Sequence, residues 1–296
     1  MTKARLRKLI RKHGLAAREP EILKLADEGL RLLTRPAARL RAGASKFGGL
    51  PDLPRGTPWP TCGKRPLMFL AQINIKDVAA AHSEFYWPIR DGLLSFFYDV
   101  AEQPWGGSPK DRDGWRIFYT PARTALKPLP LPKGVGKGTY ETAPVPQRAI
   151  SFQKVLTIPP HDNLLVNQVI VREAEQKRYF DLWYEYVNPL DESHHQWGGW
   201  PTTIQDDLEL NCQLTWHGVE DPFGMEKWNG RGEPKMDPRT PYLTLGASRW
   251  KLLLQIASDD DLGLIFGDEG NIYFCATAET IALSEFKEVW VELQCA

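Results

Sequence analysis

HHQWGGWP, residues 194–201, sets two histidines beside a glycine pair and two tryptophans. Such a stretch reads as a metal site, a catalytic corner or a turn. Comparison of the chain with itself separates these. KFGGLP, residues 46–51, has the same outline: a polar or basic residue, an aromatic, two glycines, a large apolar residue and a proline. The first copy contains no histidine, so the motif does not depend on one. Two glycines followed one residue later by proline describe a sharp turn with unusual dihedrals.

The echo continues downstream. FLAQI (69–73) follows the first turn and LLLQI (252–256) follows the second. After each Gln-Ile a glycine introduces another aromatic run, GLLSFFY (92–98) and GNIYF (270–274). Four matches in the same order predict a duplicated unit, with two sheet-rich halves facing each other across a pseudo-twofold axis. The expected fold class is α+β: mainly antiparallel β, internally duplicated sheet units and an N-terminal helical pair. The expected domains are a helical arm over 1–44 and a β-rich domain over 45–296, with halves at about 45–147 and 148–296.

Apolar runs bounded by loop residues predict the strands: MFLAQI (68–73), LLSFFYDV (93–100), WRIFYT (115–120), LLVNQVIV (164–171), YFDLWYEYV (179–187), KLLLQIA (251–257) and GNIYFCATA (270–278). IKDVAAAHSEF (75–85) and TAETIALSEF (277–286) predict helices. In the arm, Leu6, Leu9 and Ile10 mark a first helix. Ile22, Leu23, Leu25, Ala26, Leu30 and Leu33 mark a second, stopped by Pro36. Segments 121–147 and 218–242 are rich in proline and glycine and read as long irregular connections.

The formal net charge is zero, so no global field draws the chain to nucleic acid or membrane. Residues 1–45 nevertheless carry twelve Lys/Arg against four acids, +8, which leaves −8 on the remainder. A basic arm docked on an acidic body accounts for this. Contact with nucleic acid is unlikely by composition except through that arm. Cys62, Cys212, Cys275 and Cys295 are widely spaced, without a Cys-x-x-Cys, which argues against a zinc site or a disulfide scaffold. No apolar run makes a signal peptide core or a membrane span. A reduced cytoplasmic protein is the simplest expectation.

SKFGGLPDLPRGTPWP, PLMFLAQIN, GLLSFFYD, HHQWGGWP, KLLLQIASDD and IFGDEGNIYF together resemble the YwqG-like family of bacterial proteins, in order from Ser45 to the C-terminus. The resemblance implies an α+β fold built mainly of antiparallel sheet and implies no established activity. It also implies company with toxin and secretion loci, where immunity or accessory roles are suspected. The N-terminal helices and the segments 121–147 and 218–242 depart from the family pattern.

The candidate ligand-binding residues, expected at a cleft between the halves, are Lys46, Gln72, His195, Gln196, Gln255, Asp260 and Asp268. The strand glutamines read first as amides that pin loops by bonding backbone, because leaving them unpaired costs roughly 1–3 kcal/mol per group. Eleven tryptophans is a high count. Trp59, Trp105, Trp197, Trp200 and Trp228 lie in or beside Gly/Pro-rich loops and are the candidate partner anchors. A metal at His194 or His195, helped by Asp191, Glu192 or Asp259–Asp261, is the weaker reading, since adjacent strand side chains point to opposite faces. GVGKGT (134–139) fails as a phosphate loop: Leu131 stands where glycine is required, and Gly138 follows Lys137. No cofactor is expected. These features favour a non-enzymatic binding protein acting on a protein partner. The alternatives are a hydrolase or transferase with dispersed residues at the junction, and a small-ligand sensor.

Overall fold

A computed structural model describes residues 2–83, 88–187, 194–220 and 237–295. Trp228, Asp191 and Glu192 lie outside the described residues. Ten strands form one sheet: β1 (Asp27–Pro36), β2 (Lys46–Phe47), β3 (Met68–Asn74), β4 (Leu93–Tyr98), β5 (Trp115–Thr120), β6 (Arg148–Thr157), β7 (His195–Trp197), β8 (Trp250–Ala257), β9 (Asn271–Thr277) and β10 (Trp290–Gln294). Their order is β10-β9-β8-β7-β1-β6-β2-β3-β4-β5, and the paired neighbours run antiparallel.

The two outer strands bend toward each other until the sheet is nearly closed. Trp115 and Trp290 meet edge to face at 5.1 Å, Trp115 Nε1 donates to the Val289 carbonyl, and Leu293 N donates to the Trp105 carbonyl. Curling the sheet covers an edge that would otherwise invite pairing with another chain. It also encloses one core, in which Phe96 packs on Phe274 at 5.1 Å.

A helical layer covers part of the outside: α1 (Lys3–Lys12), α2 (Glu19–Leu25), α4 (Leu164–Val169) and α5 (Glu173–Val187) share a second apolar cluster with Leu156 and Ile158. The remaining helices, α3 (Ile75–Ala81), α6 (Leu208–Trp216), α7 (Thr240–Leu243) and α8 (Ala278–Ala282), follow strands or bridge them. The basic arm lies on acidic neighbours: Lys12 and His13 meet Glu185, and Arg18 meets Glu175. No helix among the described residues is long and apolar enough to cross a membrane.

Three local readings need correction. The second arm helix ends at Leu25, and residues 27–36 form the central strand β1. Leu30 and Leu32 point into the core as strand alternation requires, and β1 finds partners on both sides, β6 and β7. Gly29 marks the change: a Cβ there would stand 2.7 Å from the Gly198 carbonyl oxygen. The run 179–187 is helix, because Tyr179, Leu182, Trp183 and Tyr186 repeat at helical spacing beneath a β-like aromatic composition. The run 164–171 begins as helix α4, with the Asn163 side chain capping Leu165 N.

On each flank of the central β1–β6 pair the same frame recurs. Lys46 registers with Gln72 on one side and Gln196 with Gln255 on the other. The pairing shifts between Phe69 and Ala71 in β3, and between Leu252 and Leu254 in β8. Gly48 N donates to the Leu70 carbonyl and Gly198 N to the Leu253 carbonyl.

Candidate functional site

The glycine pairs answer the question posed by the 194–201 stretch. Gly48 and Gly49 have φ of 56° and 69°, and Gly198 and Gly199 have 61° and 68°. Both pairs occupy the left-handed region, where a side chain is strained. Space is short as well: a Cβ on Gly48 would lie 2.3 Å from the Val145 and Pro146 carbonyl oxygens, and one on Gly199 would lie 2.7 Å from Thr157 Oγ1. The motif is therefore a turn that only glycine fits.

Each turn is pinned by its strand glutamine. Gln72 Oε1 accepts from Asp52 N at 2.9 Å and its Nε2 donates to the Ala44 carbonyl. Gln255 Oε1 accepts from Thr202 N at 2.9 Å and its Nε2 donates to the His194 carbonyl. Lys46 Nζ donates to the Leu50 carbonyl and pairs with Asp52 at 3.1 Å, while Gln196 Nε2 donates to the Trp200 carbonyl. His195 accepts the Ala257 N–H on Nδ1, so its proton sits on Nε2 and points to Asp259 at 3.1 Å. That proton holds the Asp259 carboxyl below its ordinary range.

Five of the seven candidate ligand residues thus form two separate pinning networks. Lys46, Gln72, His195, Gln196 and Gln255 are buried and spend their polar atoms on the turns and strand ends. The two turns touch where the Phe47 ring meets His195 at 4.6 Å. Asp260 and Asp268 stand exposed and join neither network. Of the tryptophans, Trp197 is fully buried in the core, so no partner can reach it. Trp59 donates to the Leu67 carbonyl and packs on Phe97, fastening its loop. Trp105 is 48% exposed. Trp200 is half-buried and stands at the edge of a recess.

That recess, of about 200 Å³, lies between the N-terminal ends of α4 and α6, the segment 244–248 and the start of β8. Leu164, Leu245, Trp200 and Trp250 give it apolar walls, and Asn163, Asp207 and Glu209 give it polar ones. Folding places these groups. Asp207 caps α6 by accepting from Leu210 N, and its other oxygen accepts from Leu164 N at 2.8 Å, tying α6 to α4. Asn163 Nδ2 donates to Glu209 Oε2 at 3.1 Å. Trp200 donates its indole N–H to the Leu25 carbonyl at 2.7 Å, and the Lys251 ammonium lies 5.6 Å from its ring centre.

Burial holds the carboxyls at and near the start of α6 above their ordinary range. Burial, then repulsion from Asp207, pushes Glu209 up to about 8. Asp207 is also raised, by burial above all, while the hydrogen bonds it accepts from Leu210 N and Leu164 N pull the other way. Behind them burial, with Asp206 and Asp207 adding repulsion, pushes Glu292 up to about 8. Asp162 rises to about 7, by burial first.

A family model described as a domain of unknown function, DUF1963, matches residues 45–295. The chain belongs to that family. No curated protein matches it. The DUF1963 match begins at Ser45, just ahead of the first glycine turn, and spans both turns and the recess. Sequence reasoning found the turns and Trp200 but missed Asn163, Asp207, Glu209 and Lys251. A signal existed: DDLEL (206–210) puts a capping aspartate ahead of apolar positions. Reading 164–171 as a strand hid the wall that α4 provides.

Proposed function

We propose that this chain is a binding protein rather than a catalyst, and that it takes a projecting group of a protein partner into the Trp200 recess. One observation carries the reading: a concavity of about 200 Å³ with aromatic walls and fixed polar groups, rimmed by Leu245, which is 82% exposed. An exposed apolar residue at the mouth of such a recess suits a contact anchor. An immunity or accessory role beside a toxin, which the YwqG-like resemblance implies, is the setting we favour. The enzymatic alternative would use the Asp207–Glu209 pair. Asp207, however, commits both oxygens to backbone amides of α6 and α4, which suits a fixed wall better than a proton carrier.

We further read the two flanks of the sheet as copies of one unit. Matched registers, matched strand irregularities and matched glycine dihedrals support this. So does the meeting of Phe96 with Phe274, since residues at equivalent places touch where a twofold axis passes.

The test of the binding reading is calorimetric titration of the full chain with the product of the adjacent gene. Binding in the nanomolar range that Leu245→Asp weakens at least a hundredfold supports it. Absence of binding, or binding indifferent to Leu245→Asp, overturns it.

A further inference from the structure

We propose that the chain carries a second binding site, for a short polyphosphate group, in an open hollow of about 410 Å³ edged by Lys64, Arg65, Lys133 and Lys137. The hollow shares no lining residue with the Trp200 recess, so it stands or falls apart from the docking reading.

Charge is the first observation. Every charged side chain that lines the hollow is a cation, although the chain beyond residue 45 is net −8. Lys64, Lys133 and Lys137 are exposed, and none has an ion-pair partner among the described residues. The acids nearby do not answer them. Asp99 is buried and holds Arg65 through three contacts of 2.7, 3.0 and 3.1 Å. Glu102 accepts from Thr139 N and Oγ1 and lies 3.4 Å from Arg65. Asp113 bears on Cys62 without lining the hollow. Three ammoniums gathered from two segments distant in sequence repel one another until an anion of several charges comes between them.

Rigidity is the second. Thr61 pairs with Pro66 and Cys62 with Arg65, so Lys64 sits at the tip of a hairpin that Asp99 grips through Arg65. Lys133 and Lys137 flank Val135, which is buried in the main core, and Gly136, where a Cβ would stand 1.8 Å from the Thr142 carbonyl oxygen. Thr142 N donates back to the Gly136 carbonyl at 2.8 Å. Both lysines therefore spring from backbone that is fixed before any ligand arrives, which lowers the ordering cost of binding.

The lining selects the ligand. A lone carboxylate answers one ammonium, whereas a diphosphate or triphosphate chain carries enough charge for all three, and lysine serves phosphate as a point charge. Cys62, Pro66 and Gly134 complete the lining and offer no aromatic face for a base. The hollow thus reads the phosphate chain itself, whether free or at the end of a nucleotide. GVGKGT (134–139) takes part through the Lys137 side chain on an irregular loop, and not as the strand-to-helix cradle of a phosphate-loop enzyme.

The experiment is calorimetric titration of the full chain with sodium tripolyphosphate at low and at physiological salt. Magnesium-free ATP is the nucleotide-borne form, and citrate is the carboxylate polyanion. The expected result is saturable one-to-one binding of tripolyphosphate, at least tenfold tighter than citrate and weakened by salt. Lys133→Gln with Lys137→Gln should weaken it at least tenfold. Lys3→Gln with Lys8→Gln removes the same charge from α1 and should leave affinity within twofold. Thermal melting checks that both variants keep the fold. ATP binding as tightly as tripolyphosphate supports a nucleotide as the source, and weaker binding of ATP supports the free chain. No saturable binding of tripolyphosphate, an equal loss in the α1 variant, or citrate binding as tightly as tripolyphosphate overturns the proposal.

Discussion

The turns at 46–52 and 196–202 hold the same backbone by different chemistry. In the first, an ammonium and a carboxylate, Lys46 and Asp52, are sealed together with side chains 5% and 4% exposed. In the second, the amide of Gln196 and the hydroxyl-bearing Thr202 stand at the matching places. Beside the first, Ser45 Oγ accepts the Asn74 N–H and donates to Asp77; beside the second, His195 accepts the Ala257 N–H and donates to Asp259. The difference teaches that the glycine dihedrals and the glutamine pin define the turn, whereas the remaining polar partners are interchangeable if every buried group is answered.

The largest effect should come from breaking the charged version. Lys46→Met leaves Asp52 buried without its ammonium and is expected to cost about 3–5 kcal/mol. Gln196→Met removes neutral hydrogen bonds and is expected to cost about 1–3 kcal/mol. Chemical denaturation of both variants reads the gap. Equal costs would mean that the ion pair adds nothing beyond its hydrogen bonds, and the contrast between the turns would be one of appearance.

The glycines test what the turns share. Gly48→Ala meets two backbone carbonyls at 2.3 Å and a left-handed dihedral, and an expected cost of about 2–4 kcal/mol follows. Gly199→Ala meets the Thr157 hydroxyl at 2.7 Å and the Gly29 backbone at 3.2 Å, looser contacts than two carbonyls at 2.3 Å, and should cost about 1–2 kcal/mol. The same denaturation curves measure this, and a reversed order would show that the second turn is the tighter one.

The turns were legible in the sequence because their constraint is local. Glycine pairs, a following proline and a strand glutamine are short-range signals, and the sequence carries the pattern twice. The central strand was not legible, since Leu30 and Leu33 fit a helical stripe as well as Leu30 and Leu32 fit alternation. Only pairing with β6 and β7 decides between them. Residues 179–187 misled for the opposite reason: tyrosine and tryptophan favour strands by composition, yet their spacing served the helix α5. The recess lay beyond reach because its walls come from α4, α6 and β8, whose meeting is a tertiary fact. Its carboxyls are perturbed by burial that no local pattern announces.

That burial separates the second flank from the first in pH dependence. Glu209 and Glu292, ordinarily near 4.5, bind their protons up to about 8 when folded. The folded chain therefore holds more protons than the unfolded one between those values. Stability from these groups is full at the acid end of that window and falls as pH rises through it. Melting temperatures should drop between pH 6 and pH 8.5, with an underlying loss of about 1–3 kcal/mol from each group. Glu292→Gln should flatten the slope and raise stability at the alkaline end. A slope unchanged in that variant would place the titrating group elsewhere.

The smallest effect concerns the wall that the first flank lacks. Trp200 occupies the place that Leu50 holds in the other turn, and Lys251 lies over its ring. Lys251→Met keeps the aliphatic stem and removes the ammonium. An exposed cation–π contact of this kind contributes about 0.5–1 kcal/mol, so the loss in stability should be no larger. Thermal denaturation of the variant reads it. A larger loss would mean that Lys251 holds the indole in place, and Trp200 would then be a fastening of the second turn, as Trp59 is of its own loop.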